Sequence, residues 1–266
     1  MDLNDYIHFY EKIVTYSNSL FDEIIQSIFS LYLKPGDIVV DAGANTGTHT
    51  IALAKIVGLA GKVHAFEPFD INIQKLRNRV SQNQFDDVVR IYGFALSNYQ
   101  GEAEFKVFKE NPGLCCFVER PWYDKSKMDV ITVPVNYIDN LFTNSENIRL
   151  LKIDAEGADF DIIKGAKNNI KKSGPLIIFE GGMIKDNPAK LYEYSKDEFI
   201  SFFNWIDYEL YDTFGMRFNY DLWTEKTLND FVAIPKENQV ELENLLRIAV
   251  YSVLLKYFTY APSSGS

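Results

Sequence analysis

The sequence predicts a doubly wound α/β fold, with a mostly parallel seven-stranded sheet, an antiparallel last strand and a helical extension at each end. Three observations predict it. Short β-branched runs alternate with amphipathic stretches over residues 36–236, the pattern of a parallel sheet covered by helices on both faces. The first run ends in a tight glycine turn that leads into a helical pattern. The last two runs, 208–211 and 231–234, read as an antiparallel pair. Together they define a Rossmann-like sheet.

The elements follow in order. Residues 1–33 carry apolar side chains at spacings of three and four (Tyr6, Phe9, Ile13, Leu20, Ile24, Ile28), which predicts one or two amphipathic helices before the break at Lys34-Pro35-Gly36. Residues 37–41 form a buried strand, 48–57 a helix, 62–66 a second strand, 71–83 a second helix and 88–92 a third strand. An inserted region at 97–147 contributes strand-like runs at 103–108 and 130–135, with an aromatic stretch between them. Residues 150–153 return to the core as a strand, 159–172 form one helix, 176–179 a strand and 195–205 a helix. Three parts result: an extension at 1–35, the sheet domain at 36–236, and a C-terminal helix with a frayed tail at 237–266. In that helix, Leu242, Leu246, Ala249 and Val253 are joined by Leu245, Ile248, Leu254 and Leu255. The stripe is wider than one helix face needs, which suits docking on the domain or pairing of two copies.

Composition narrows the function classes. The 266 residues include 27 basic and 37 acidic side chains, a net charge of −10, and no long basic run. That argues against a nucleic-acid partner, whose affinity comes from Lys and Arg. The two cysteines, Cys115 and Cys116, are adjacent and fit neither a disulfide framework nor zinc spacing. The N-terminus has no basic and apolar signal pattern, and no run is long and apolar enough for a transmembrane helix. A cytoplasmic location is the expectation.

Open α/β sheets bind ligands beyond the carboxyl ends of their strands, at the point where strand order reverses. The first such end reads Asp41-Ala42-Gly43-Ala44-Asn45-Thr46-Gly47. Glycines at 43 and 47 let the backbone approach a ligand closely. The Gly-x-x-x-Gly spacing is not the pyrophosphate fingerprint. Asp41 would repel a pyrophosphate but suits a zwitterion bearing an ammonium and a sulfonium. Glu67-Pro68 ends the second strand, where an acid accepts ribose hydroxyls; Glu67 therefore marks a ribose rather than a particular cofactor.

Residues 40–50, Phe66-Glu67-Pro68, Ala95-Leu96-Ser97 and Lys152-Ile153-Asp154-Ala155-Glu156-Gly157, with Gly165 downstream, resemble the FkbM family of methyltransferases over about 36–236. The combination of a D-x-G-A-N-x-G turn and a K-x-D-x-E-G strand end carries the resemblance. It implies S-adenosylmethionine as cofactor and O-methylation of a hydroxyl on a sugar, glycan or natural product. By the same resemblance, Asp41, Gly43, Ala44, Asn45, Thr46 and Gly47 would surround the methionine part. Glu67 and Pro68 would lie at the ribose, and Phe94, Ala95 and Leu96 beside the adenine.

Methyl transfer to an alcohol needs in-line positioning and a base for the hydroxyl proton. Asp154, Glu156 and Glu180 stand at strand ends and are the candidates. Asp154 comes first because the fourth strand end faces the methyl group in this architecture. These carboxylates are also hard ligands of the kind Mg²⁺ accepts. Three acids near a cleft need not converge, so Mg²⁺ stays open as a cofactor but is not the favoured reading. His49 and His64 read as packed or capping residues. An NAD-dependent oxidoreductase and a nucleoside-binding module without catalysis are the competing classes.

Overall fold

The computed structural model describes residues 19–108, 110–117, 123–143, 146–180, 195–218 and 230–259. The expectations for residues 1–18, for residues 118–122 of the aromatic stretch in the inserted region and for the tail from Ala261 lie outside the described residues.

The chain begins with α1 (Ser19–Tyr32) and continues through β1 (Ile38–Ala42), α2 (Thr48–Val57), β2 (Lys62–Phe66), α3 (Asp70–Gln82) and β3 (Val89–Tyr92). The inserted region supplies β4 (Ala95–Leu96), β5 (Gly101–Phe108) and β6 (Met128–Asn136), followed by α4 (Ile138–Leu141). The core resumes with β7 (Ile148–Ile153), α5 (Asp159–Lys164), α6 (Lys167–Ser173), β8 (Leu176–Glu180), α7 (Lys196–Trp205), β9 (Tyr208–Asp212), β10 (Asp230–Pro235) and α8 (Gln239–Thr259).

The seven-stranded sheet has the order β3-β2-β1-β7-β8-β10-β9. Its strands are parallel except β10, which runs antiparallel to both β8 and β9. The β-branched and leucine runs of β1, β7 and β8 are buried on both faces, as a parallel sheet between helix layers requires. The order reverses between β1 and β7, so a crevice opens beyond Ala42 and Ile153. A second sheet, β4-β6-β5, stands beside that crevice and is built on the long antiparallel β5–β6 pair.

Much of the aromatic content is core mass. Phe160, Phe179, Phe199, Phe203 and Phe231 stack between α5, α7 and the β8–β10 half of the sheet. Ser195 caps α7 by accepting from the Glu198 amide at 3.0 Å. The two terminal extensions pack on each other: Ile24, Ile28 and Phe29 of α1 and Leu246, Ala249 and Val253 of α8 are buried, and Ser27 bonds Ser252 at 3.1 Å. Ile248, Tyr251 and Leu255 of α8 remain exposed.

The single helix expected over 159–172 is two helices. A Cβ on Gly165 would collide with the Ser97 carbonyl oxygen, so the chain there runs against the β4 segment as bare backbone. The Asp139 carboxylate then accepts from the Asn168 and Asn169 amides, both at 2.9 Å, and restarts the helix as α6.

Candidate active site

The crevice beyond β1 and β7 holds a pocket walled by three groups of residues. The strand ends give Gly43, Asn45, Glu67, Pro68, Asp154 and Glu156. The segment from β3 into β4 gives Phe94, Ala95 and Leu96. The inserted region gives Phe105, Pro112, Gly113, Cys115 and Phe117. The void is about 100 Å³.

The glycine turn is shaped by what lies against it. Gly43 has φ +76°, and a Cβ there would collide with the Asp154 carbonyl oxygen, so β1 and β7 meet in bare backbone. The Gly43 and Ala44 amides both donate to the Phe66 carbonyl, at 3.0 and 2.9 Å, which ties the turn to the end of β2. Gly47 (φ +91°) starts α2. Gly43 and Asn45 line the pocket, whereas Asp41, Ala44, Thr46 and Gly47 do not.

Asp41 lies beneath the pocket, fully buried. Its Oδ2 accepts from the Thr50 hydroxyl at 2.6 Å, and its Oδ1 faces the Lys152 ammonium at 3.4 Å. Lys152 also reaches Asp154 Oδ2 at 3.3 Å. Burial alone lowers the pKa of the Lys152 ammonium, but the Asp154 and Asp41 carboxylates more than offset it and hold it above the ordinary lysine value.

Glu67 is 5% exposed. Its Oε2 accepts from the Asn45 amide at 2.9 Å; its Oε1 accepts from the Phe69 amide at 3.0 Å and from Asn72 Nδ2 at 3.4 Å. Burial pushes its pKa up, and these three donors pull part of that shift back.

The expected acids converge. Asp154, Glu156 and Glu180 each bring a carboxylate oxygen within 4.8 Å of the others. Glu156 holds φ +52°, a left-handed conformation unusual for a residue with a side chain. Burial, then Asp154 and Glu156, push the Glu180 carboxyl well above the ordinary range. Such a set is an all-oxygen donor set.

Three further residues went unnoticed as site residues in the sequence. Asp159, the first residue of α5, accepts from the Ala155, Gly157 and Glu180 amides at 3.4, 3.1 and 3.2 Å, and so pins the 154–157 turn to the end of β8. Burial and the nearby Asp154 push its carboxyl up to about 8. Asp230 opens β10 opposite Glu180 and is pushed up to about 7 by burial and Asp154. Lys152 is the third. The position of Asp159 two residues after a glycine turn, at a helix start, was a legible signal; Asp230 needed the β8–β10 register.

His49 stacks edge-on against Phe29 and pairs with Asp22 at 3.3 Å. His64 sits between Tyr92 and Glu146, at 2.9 and 3.1 Å, and burial lowers its pKa to about 4. Cys115 and Cys116 are buried and not joined in a disulfide. Among the described residues no helix is long and apolar enough to cross a membrane.

Fold and crevice define an open-sheet α/β protein of the ligand-binding class. The chain belongs to the FkbM methyltransferase domain family, whose model matches residues 41–210. Among solved structures, an FkbM methyltransferase from Methylobacillus flagellatus matches at 18% identity and a TM-score of 0.46, over 76% of this chain and 44% of that one. The chain thus spans less than half the length of that relative. A SAM-dependent O-methyltransferase from Thermotoga maritima matches at 14% identity and a TM-score of 0.42, over 81% of this chain and 71% of that one. A SAM-dependent methyltransferase from Aquifex aeolicus matches at 13% and 0.43, over 88% and 97%. No curated protein matches the chain in sequence.

Proposed function

We propose that the protein is an S-adenosylmethionine-dependent O-methyltransferase acting on a hydroxyl of a sugar, glycan or related natural product. The observation that carries this reading is one pocket, at the strand-order reversal of an FkbM-family chain, with Glu67 on one side and Asp154 and Glu156 on the other, where Glu180, outside the lining, brings its carboxylate within 4.8 Å of theirs.

The residues fit the cofactor. Glu67 is a buried acceptor for a ribose diol. Phe94, Ala95, Leu96 and Pro68 offer an apolar wall for a base. Of the turn, Gly43 and Asn45 face the methionine part, and Ala44, Thr46 and Gly47 hold its shape from behind. Asp41, neutralised by Lys152, acts on that part through Lys152 and Asp154 rather than by contact. When bound, the cofactor supplies an electrophilic methyl group on a sulfonium. Asp154 and Glu156 orient the acceptor hydroxyl, and Glu180 takes its proton. Glu180 suits that role because its raised pKa brings it toward the working pH of a base, while Asp154 is engaged by Lys152.

The acid-lined mouth favours a neutral, hydroxyl-rich acceptor over a polyanion. The exposed strip of Ile248, Tyr251 and Leu255 supports pairing of two copies through α8, and sedimentation of an Ile248→Glu variant tests it. The cofactor reading is tested by calorimetric titration with S-adenosylmethionine, S-adenosylhomocysteine and NAD, alongside Glu67→Ala. Binding of both sulfur compounds, lost in the variant, with NAD silent, is the expected result. An NAD isotherm alone would sink the reading.

A further inference from the structure

The pocket is too small for what it is proposed to hold. Its void of about 100 Å³ compares with roughly 300–1,000 Å³ for sites that take small-molecule ligands. One wall is a strap, residues 112–117, that leaves the β5–β6 pair and crosses the pocket. The strap is joined to β5 by the reciprocal backbone bonds of Lys106 and Cys116, at 2.7 and 3.1 Å. At its other end Gly113 lies against Asn45, and the Pro112 carbonyl receives Asn72 Nδ2 at 3.4 Å. The same nitrogen reaches Glu67 Oε1, also at 3.4 Å. Asn72 is 2% exposed and lines the pocket, and its Oδ1 is buried without a hydrogen-bond partner. One amide, with both bonds long and its acceptor atom unmet, thus bridges the ribose-facing carboxylate and the tip of the strap.

We propose that Asn72 is a positioning residue that couples recognition of the cofactor's ribose by Glu67 to the placement of the 112–117 strap over the pocket. The inference rests on the cofactor reading above. The strap moves outward to admit a nucleoside-sized ligand, and Asn72 redistributes its hydrogen bonds between Glu67 and Pro112 as it closes again. Asn72 also donates to the Glu67 carboxylate and so favours its charged form.

The test uses the full chain and S-adenosylhomocysteine. Cys115 reports on the strap: it lines the pocket, is buried, and has a thiol pushed up to about 11 by burial, so alkylation requires opening. Its rate with iodoacetamide is read by tandem mass spectrometry, which separates it from Cys116. In the wild type, S-adenosylhomocysteine should slow alkylation of Cys115. Asn72→Ala and Asn72→Asp should weaken its binding by roughly ten- to a hundredfold, the effect of losing a hydrogen bond to a charged group. Both should abolish the protection of Cys115 while melting near the wild type. In Asn72→Ala, the pH at which affinity falls on acidification should move upward. Two variants guard against misfolding of either one. Unchanged affinity and unchanged protection in a folded variant would overturn the proposal, as would a wild type that binds S-adenosylhomocysteine without protecting Cys115. A wild type that does not bind it would instead overturn the cofactor reading, and this inference with it.

Discussion

The Lys152 ammonium stands 3.4 Å from the Asp41 carboxylate, both side chains buried, and the two residues face each other across neighbouring strands of the sheet. The pair sits below the strand-order reversal and keeps an otherwise acid-rich site electrically tolerable. Removing one partner of such a pair leaves a buried charge without compensation. Lys152→Met should therefore destabilise the fold by about 3–5 kcal/mol, measured by urea unfolding. Adding Asp41→Asn should recover part of that loss. Additive losses would show that the pairing is not what holds these groups.

Glu180 and Asp154 can be separated by their kinetic signatures. If Glu180 accepts the hydroxyl proton, Glu180→Gln should lower turnover by about 10²–10⁴-fold, the usual worth of a positioned base, with S-adenosylhomocysteine affinity nearly unchanged. The wild-type rate should rise with pH as the Glu180 carboxyl ionises, and that limb should vanish in the variant. Asp154→Asn should change substrate affinity as well as rate, since it removes the group that Lys152 holds at the pocket wall. A larger loss of turnover in Asp154→Asn, with the pH limb retained in Glu180→Gln, would return the base role to Asp154.

The strand-end residues were legible because chemistry and backbone geometry coincide there. Gly43 is glycine because the Asp154 carbonyl leaves no room for a side chain, and Glu67 follows directly from β2. The break at Gly165 was not legible, because its cause is contact with Ser97, far away in the chain. Asp230 escaped notice for the same reason: it meets Glu180 only through the antiparallel register of β10. Lys152 is legible as the first residue of the K-x-D-x-E-G strand end, but its pairing with Asp41 is set by the β1–β7 register. Local pattern located the pocket; the charge balance around it depends on non-local pairing.

Asp159 and Asp230 make stability depend on pH in a defined direction. Both carboxyls sit above the ordinary aspartate value of 3.8, at about 8 and about 7. Between those limits the folded chain keeps protons that the unfolded chain releases. Their contribution to stability is therefore fully present at and below the unfolded pKa and is lost as pH rises from there through the folded values. The melting temperature should be higher near pH 5 than near pH 8. Asp159→Asn should flatten part of that slope. It should also cost about 1–3 kcal/mol at any pH, because an amide cannot satisfy the Ala155, Gly157 and Glu180 donors together. An unchanged slope in the variant would place the titration elsewhere.

The convergence of Asp154, Glu156 and Glu180 within 4.8 Å raises the question of a divalent cation. Two features of the site argue against one being required. The Lys152 ammonium already lies 3.3 Å from Asp154 Oδ2 and supplies positive charge there. Glu180 holds its proton to higher pH than a free glutamate, so the trio resists full ionisation, and Mg²⁺ binds ionised carboxylates. Methyl transfer should therefore survive excess EDTA, and added MgCl₂ should not raise it. Loss of turnover in EDTA, restored in full by Mg²⁺, would make the three carboxylates metal ligands and transfer the activation of the hydroxyl from Glu180 to the ion.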